Sequence, residues 1–399
     1  MTKLIHIVLI ADVFPPLRSS GAVQLRDLSL EIIRQGHKVI VMIPSNDIEE
    51  AWSLEDMEGV GVLRLKAPQT RDTGYVRRTI NEFLMPFYML YNLRKSSLSN
   101  MRWDGIIWYS PTIFLGPIVK SLKKASGCRS YLIVRDIFPD WAVDMGLLNR
   151  GLLYRFFKRI ERYQYSIADV IGVQTPANLP LFDFWASATK KRVEVLQNWL
   201  AEAPDIGCSI SIADSPLAGR TIFVYAGNMG VAQGMAILID LAEGLQDRHD
   251  IGFIFVGRGS DADVLRDDVK ARGLENVIFR DEIAPSEIPG LYAQCHIGIV
   301  ALDPRHKTHN LPGKFLTYMQ GGLPVLASIN LGNDLAKIIE SEAVGRVCLD
   351  HSVETLCNLA LELVEETRKD ANVSARCLSL SAKLFTPESA VKQIKAALI

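Results

Sequence analysis

Short uninterrupted apolar runs alternate along this chain with longer stretches in which apolar residues recur every three or four positions. The runs read as strands buried on both faces, and the periodic stretches as helices packed by one stripe. Leu4–Ala11 is a run, Gln24–Arg34 sets Leu25, Leu28 and Ile32 on one face, and Lys38–Ile43 is a run again, which makes a βαβ unit. Further runs at Gly61–Leu65, Gly105–Tyr109, Tyr131–Arg135, Val170–Gln174 and Val193–Leu196 predict a parallel, doubly wound sheet for the first half. After a stretch rich in Ala, Ser, Pro and Asp, Ala201–Gly219, the pattern restarts with Thr221–Ala226, Gly252–Val256, Asn276–Phe279, Ile297–Ala301 and Pro324–Ser328. A second sheet of the same type follows, and Pro387–Leu398 reads as a last helix able to return to the first domain.

Length agrees with this division, since 399 residues suit two domains of roughly 180–200 residues, each with its own core. The six cysteines include no C-x-x-C pair, which argues against a zinc ribbon, a redox dithiol or a disulfide framework and favours a reducing cytoplasm. No window approaches the roughly 20 apolar residues that span a bilayer. The net charge of −1 hides an asymmetry: residues 1–200 carry 26 Lys and Arg against 19 Asp and Glu, and residues 201–399 carry 18 against 26. A basic first half can meet phosphate-rich partners.

Open α/β sheets place their ligands at the carboxyl ends of their strands, so the chemistry is sought in the strand-to-helix loops. The first, ADVFPPLRSSG at Ala11–Gly21, ends with Ser20 and Gly21 at a helix N-terminus, where free N–H groups bind anions. After the strand at Tyr131–Arg135, RDIFPDWAVDMG carries Asp136, Asp140 and Asp144; Asp136 is the candidate for acid–base or hydroxyl-orienting work, the other two for capping. The second domain opens with Gly227-Asn228-Met229-Gly230-Val231-Ala232-Gln233-Gly234, whose glycines permit close approach to a phosphate and whose Asn228 and Gln233 offer neutral hydrogen bonds. Gly257–Ala262, with Arg258, matches a degenerate dinucleotide fingerprint, with Asp281 further on. Finally KTHNLPGKFLTYMQGGLPVLA brings His309, Asn310, Leu311, Pro312, Gly313 and Lys314 to the start of a short helix that also holds Thr317, a compact cradle for a diphosphate.

Together these segments resemble family 4 glycosyltransferases of the GT-B fold, nearly end to end. The landmarks are the Pro-Pro…Ser-Gly loop, Gly36-His37-Lys38-Val39, VYAGNMGVAQG at Val224–Gly234, FVGRGSDADVL at Phe255–Leu265, NVIFRDEI at Asn276–Ile283, and LPGKFLTYMQGGLPVLA. The forms RDIFPD and HNLPGKFLTYM look most like bacterial surface-polysaccharide enzymes, a subgroup that includes proteins assigned as N-acetyl-L-fucosamine transferases. The chain departs from the family pattern at several positions. Asn228 and Gln233 stand where many members carry Arg and Lys, His309 and Thr317 where two glutamates stand eight residues apart, and Arg135 where a histidine is common.

The resemblance implies two Rossmann-like, doubly wound domains facing across a cleft: residues 1–200 on the acceptor side, 201–380 holding the nucleotide sugar, and 381–399 a helix packing back on the first domain. It implies retaining transfer from a UDP-sugar without a metal or other cofactor. Lys314, Arg258 or Arg18 would compensate the diphosphate charge, while Asp136 or His309 would orient the acceptor hydroxyl or touch the sugar. The acceptor is expected to be a lipid-linked saccharide of O-antigen, capsule or exopolysaccharide synthesis, and the sugar an N-acetylated 6-deoxy or related hexosamine. Tyr75–Lys95 and Arg150–Arg162 mix arginines with aromatic and aliphatic residues as an interfacial segment does, which suggests peripheral contact with the cytoplasmic face of the inner membrane. The competing readings are a UDP-sugar 2-epimerase of the same fold, an NAD-binding oxidoreductase resting on Gly257–Ala262, and a nucleic-acid binder using the basic half, for which no module is recognisable.

Overall fold

The computed structural model describes residues 4–17, 19–189, 191–305 and 311–399. Arg18, His309 and Asn310, three of the candidates above, lie outside the described residues. The chain forms two compact units, residues 1–200 with 387–399 and residues 201–386.

The first unit runs β1 (His6–Ile10), α1 (Ser20–Arg34), β2 (Lys38–Ser45), β3 (Trp52–Met57), β4 (Val60–Lys66), α2 (Tyr75–Leu93), β5 (Gly105–Ser110), α3 (Gly116–Ser126), β6 (Arg129–Val134), α4 (Asp140–Asp144), α5 (Leu152–Ile167), β7 (Val170–Val173), α6 (Asp183–Thr189) and β8 (Arg192–Val195). Its sheet order is β3-β4-β2-β1-β5-β6-β7-β8. All ladders are parallel except β3–β4, so the expected parallel, doubly wound sheet is present with one antiparallel edge strand added. There Glu58 and Gly59, both at positive φ, make the two-residue turn of an antiparallel hairpin. β3 is largely exposed and charged, without the apolar run that marks the other strands.

The second unit runs β9 (Thr221–Ala226), α7 (Ala236–Gly244), β10 (Ile251–Val256), α8 (Ala262–Ala271), β11 (Val277–Arg280), α9 (Ile288–Tyr292), β12 (Ile297–Ala301), α10 (Gly313–Gln320), β13 (Val325–Ser328), α11 (Asp334–Ser341), β14 (Gly345–Cys348), α12 (Val353–Lys369) and α13 (Val373–Leu384). Its strands are all parallel in the order β11-β10-β9-β12-β13-β14. β9, β10 and β12 are buried at every position, as a sheet covered on both faces requires. Residues 201–219 are not a free tether, because Gln294 donates to the Ile210 carbonyl and accepts from the Ile212 N–H.

The last helix, α14 (Pro387–Leu398), contributes Val391, Ile394 and Leu398 to the same core as Ile7, Leu28, Ile32 and Ile107 of the first unit. In both units the strand order reverses beside the first strand, between β1 and β5 and between β9 and β12, and ligands of such sheets bind at that point.

Candidate functional site

In the second unit the reversal point is built by two glycine loops and the start of α10. The loop after β9 and the loop after β10 lie back to back: Met229 N–H donates to the Arg258 carbonyl at 2.8 Å, and Asp261 N–H to the Met229 carbonyl at 3.0 Å. A Cβ on Gly257 would stand 2.0 Å from the Gly227 oxygen, and one on Gly259 2.1 Å from the Met229 oxygen. These two glycines of the apparent dinucleotide fingerprint therefore serve backbone-to-backbone packing. Asp281, the acid a ribose would need, is held by Arg266 at 2.7 Å. Arg258 is largely exposed and paired with Glu282 at 3.0 Å.

Within the first of these loops the two amide side chains satisfy each other, Asn228 Nδ2 donating to Gln233 Oε1 at 3.0 Å, and Gly230 N–H joins the same oxygen at 3.1 Å. They shape the loop and bring no charge. The charge comes from Lys314, in the first turn of α10. Its Nζ lies 4.5 Å from the centre of the Tyr225 ring, and its Cε is 3.0 Å from where a Cβ on Gly227 would sit. Among the described residues it has no carboxylate partner. Burial pushes this ammonium down to about 8. An enclosed cation without a carboxylate partner among the described residues, beside a glycine loop and a helix N-terminus, has the composition that could hold an anion.

Leu311 is buried and Pro312 stands at the N-cap of α10, which starts at Gly313. The Thr317 hydroxyl donates to the Lys314 carbonyl at 2.9 Å and lies 3.3 Å from the Tyr292 hydroxyl, so it is tied into its helix and to α9. Tyr318, fully buried, donates to the Val224 and Ile299 carbonyls and fixes α10 across β9 and β12.

At the matching point of the first unit acidic and basic groups stand together. Ser19 is the N-cap of α1, its Oγ accepting from Ala22 N–H at 3.3 Å, so Ser20 and Gly21 are the first helical residues, whose N–H groups have no partner one turn back. A Cβ on Gly21 would lie 2.8 Å from the Tyr109 hydroxyl, and glycine is what lets α1 close down on β5. Asp136 is exposed and bears electrostatically on both Tyr109 and Arg135. Arg135 is buried, donates to the Leu196 carbonyl at 3.0 Å and covers Trp199; burial pushes it down to about 10. Asp140 accepts from Tyr154 at 2.7 Å and Lys158 at 2.9 Å, which makes it a tie between α4 and α5.

Asp12 stands out only in the folded chain. This carboxyl, just after β1, has one buried oxygen without a partner among the described residues, and burial, only partly opposed by the Arg71 guanidinium, raises it to about 6. Nothing in ADVFPP separates a solvated loop aspartate from an enclosed one; the enclosing groups, Arg71 and Tyr109, are distant in sequence.

Two doubly wound α/β units of this kind make up the GT-B fold. Residues 220–366 match the family "Glycosyl transferases group 1". The chain is 25% identical over 318 residues to the Pseudomonas aeruginosa protein named "Probable glycosyltransferase WbjE", covering 75% of each. It is 26% identical over 287 residues to the Escherichia coli K12 protein named "Putative colanic acid biosynthesis glycosyl transferase WcaI", covering 65% of this chain and 66% of that one. Among solved structures it resembles Anabaena HepE in complex with UDP-glucose, with a TM-score of 0.68 at 15% identity over 98% of both chains. These matches support a group 1 glycosyltransferase. No helix among the described residues is long and apolar enough to cross a membrane, and no cluster of metal-ligating side chains occurs among them.

Proposed function

We propose that the chain transfers a sugar from a UDP-sugar to a hydroxyl of a lipid-linked saccharide during bacterial surface-polysaccharide synthesis, with retention at the anomeric carbon, as a family 4 enzyme. The observation that carries the reading is Lys314: an enclosed ammonium without a carboxylate partner among the described residues, beside the Gly227–Gly230 loop and at the head of α10. Cleavage of the sugar–phosphate bond leaves negative charge on the diphosphate, and donors already aimed at that charge lower the barrier most. On this reading Lys314, the Gly313 N–H at the start of α10 and the Asn228 N–H are those donors. UDP is the favoured nucleotide because HepE was solved with UDP-glucose, and polysaccharide synthesis is favoured by the name of WcaI. Retention follows from departure of the diphosphate and arrival of the acceptor on one face of the sugar, with Asp136 or His309 orienting the acceptor hydroxyl. An N-acetylated 6-deoxy hexosamine is the proposed sugar, and such an acceptor puts the enzyme to work at the cytoplasmic face of the inner membrane.

Thermal unfolding with UDP, GDP, ADP and NAD in parallel tests the donor. A ligand at 100 times its dissociation constant adds about 2.7 kcal/mol, and the expected result is stabilisation by UDP alone. A shift with NAD and none with UDP overturns the reading in favour of an oxidoreductase. Release of UDP from a UDP-sugar without an acceptor, with epimerised sugar, would favour the epimerase.

A further inference from the structure

We infer that Tyr225 is a positioning residue for the second unit's anion site, holding the Lys314 ammonium without an internal acceptor so that a diphosphate can take it. This role presupposes the donor reading above, since the anion is the diphosphate of that reading.

A glycine loop offers N–H groups to an anion, yet it also carries carbonyl oxygens with which a neighbouring ammonium would pair first. In the loop after β9 each of those oxygens is turned to another use. The Gly227 oxygen is packed against Gly257, where a Cβ would stand 2.0 Å from it. The Met229 carbonyl accepts from Asp261 N–H at 3.0 Å, and the Gly230 carbonyl from Gln233 N–H at 2.9 Å. The Asn228 carbonyl alone depends on a side chain, accepting from the Tyr225 hydroxyl at 2.5 Å. With that oxygen held inward, the Asn228 N–H makes no backbone hydrogen bond and is left for a ligand.

The same side chain meets the lysine. Tyr225 is fully buried at the end of β9, and Lys314 Nζ lies over its ring, 4.5 Å from the centre. A ring face attracts an ammonium without offering it a lone pair, so the lysine is steadied and its hydrogen-bond donors stay available. Among the described residues Nζ forms no hydrogen bond or ion pair, and burial alone lowers its pKa, with no other titratable group contributing. Gly227, at φ +133°, makes room for the lysine stem, since a Cβ there would lie 3.0 Å from Cε. Burial also pushes the Tyr225 phenol far up, so its hydroxyl remains a donor wherever Lys314 titrates.

Phenylalanine separates the two contributions, because it keeps the ring and removes the hydroxyl. The Asn228 carbonyl is then an enclosed acceptor without a donor, and the ammonium above the same ring is a donor without an acceptor. Their pairing would support the charged lysine and set it against the ligand.

Two measurements on the full chain decide this. The first is the Lys314 side-chain NMR titration without ligand, the signal being assigned by its absence in K314M. In Y225F its midpoint should rise from about 8 by about one pH unit. The second is titration calorimetry with UDP and with inorganic pyrophosphate. Y225F should bind each about tenfold more weakly, and adding Y225F to K314M should cost nothing more. The ligand-free melting midpoint of each variant reports an intact fold. A purely structural role would weaken binding equally in both backgrounds and leave the lysine titration in place; either result, or unaltered affinity in Y225F, overturns the inference. A raised titration with pyrophosphate binding but no UDP binding upholds it and sinks the UDP-sugar reading instead, and an unaltered chain that takes neither anion overturns both.

Discussion

The six central strands of the first unit follow the order of the six strands of the second, yet the two units enclose different charges at the same topological point. Where β9 and β12 diverge, the second unit encloses the Lys314 ammonium; where β1 and β5 diverge, the first encloses the Asp12 carboxyl. The fold supplies the crevice in both cases, and the enclosed groups bias what can enter it: the Lys314 ammonium in the second unit, the Asp12 carboxyl together with Arg71 and the buried Arg135 in the first. Under the proposed function the Lys314 crevice takes the diphosphate, and the Asp12 crevice, with its protonatable carboxyl, takes an uncharged hydroxyl.

The most severe way to break this contrast is Gly257→Ala, since its Cβ would occupy the space of the Gly227 oxygen at 2.0 Å. Separation of the two glycine loops should cost more than about 4 kcal/mol, seen by calorimetry as early melting of the second unit while the first melts unchanged. Next is Lys314→Met, which keeps the apolar stem and removes the charge. UDP affinity should fall on the order of 100-fold with the unfolding midpoint without ligand unchanged or raised, and titration calorimetry that finds unaltered affinity would place the diphosphate elsewhere.

The first unit gives a prediction of opposite sign. Because folding raises the Asp12 carboxyl from 3.8 to about 6, its proton is held more tightly in the folded chain, and stability is lost as pH rises from about 4 through 6. Asp12→Asn should therefore stabilise the chain at pH 7 by up to roughly 3 kcal/mol and do little at pH 4; denaturant midpoints at the two pH values check this. The smallest effect sharpens the contrast in the unaltered chain. Folding lowers Lys314 to about 8, so the burden of its buried charge is full below that pH and fades toward 10.5. The thermal shift produced by UDP should shrink between pH 8 and 10 while the ligand-free midpoint gains from the same deprotonation.

What was legible in the sequence follows from burial. Strands such as Thr221–Ala226 and Ile251–Val256, covered on both faces, can be written only with apolar residues, and they stand out. β3 is exposed and β14, GRVC, is short and half polar, so neither leaves a periodic trace. Lys314 was visible because the loop and helix start that frame it are contiguous in the chain, whereas Asp12 is framed by Arg71 and Tyr109 from other elements. Gly257 and Gly259 teach a related point: a spaced pair of glycines reports a close backbone approach without naming the partner, and here the partner is the neighbouring loop.

One feature of the connectivity bears on how the molecule comes into being. The second unit is contiguous, but the core of the first is closed by Val391, Ile394 and Leu398, and Leu398 packs against Gly105 so tightly that a Cβ there would lie 2.8 Å from its Cδ1. On the ribosome the second unit has all its parts before the first does, although the first is begun earlier. The nascent first unit must wait with an open apolar seam along α1 and β5 until α14 emerges, and chaperone occupancy during synthesis should concentrate on that seam.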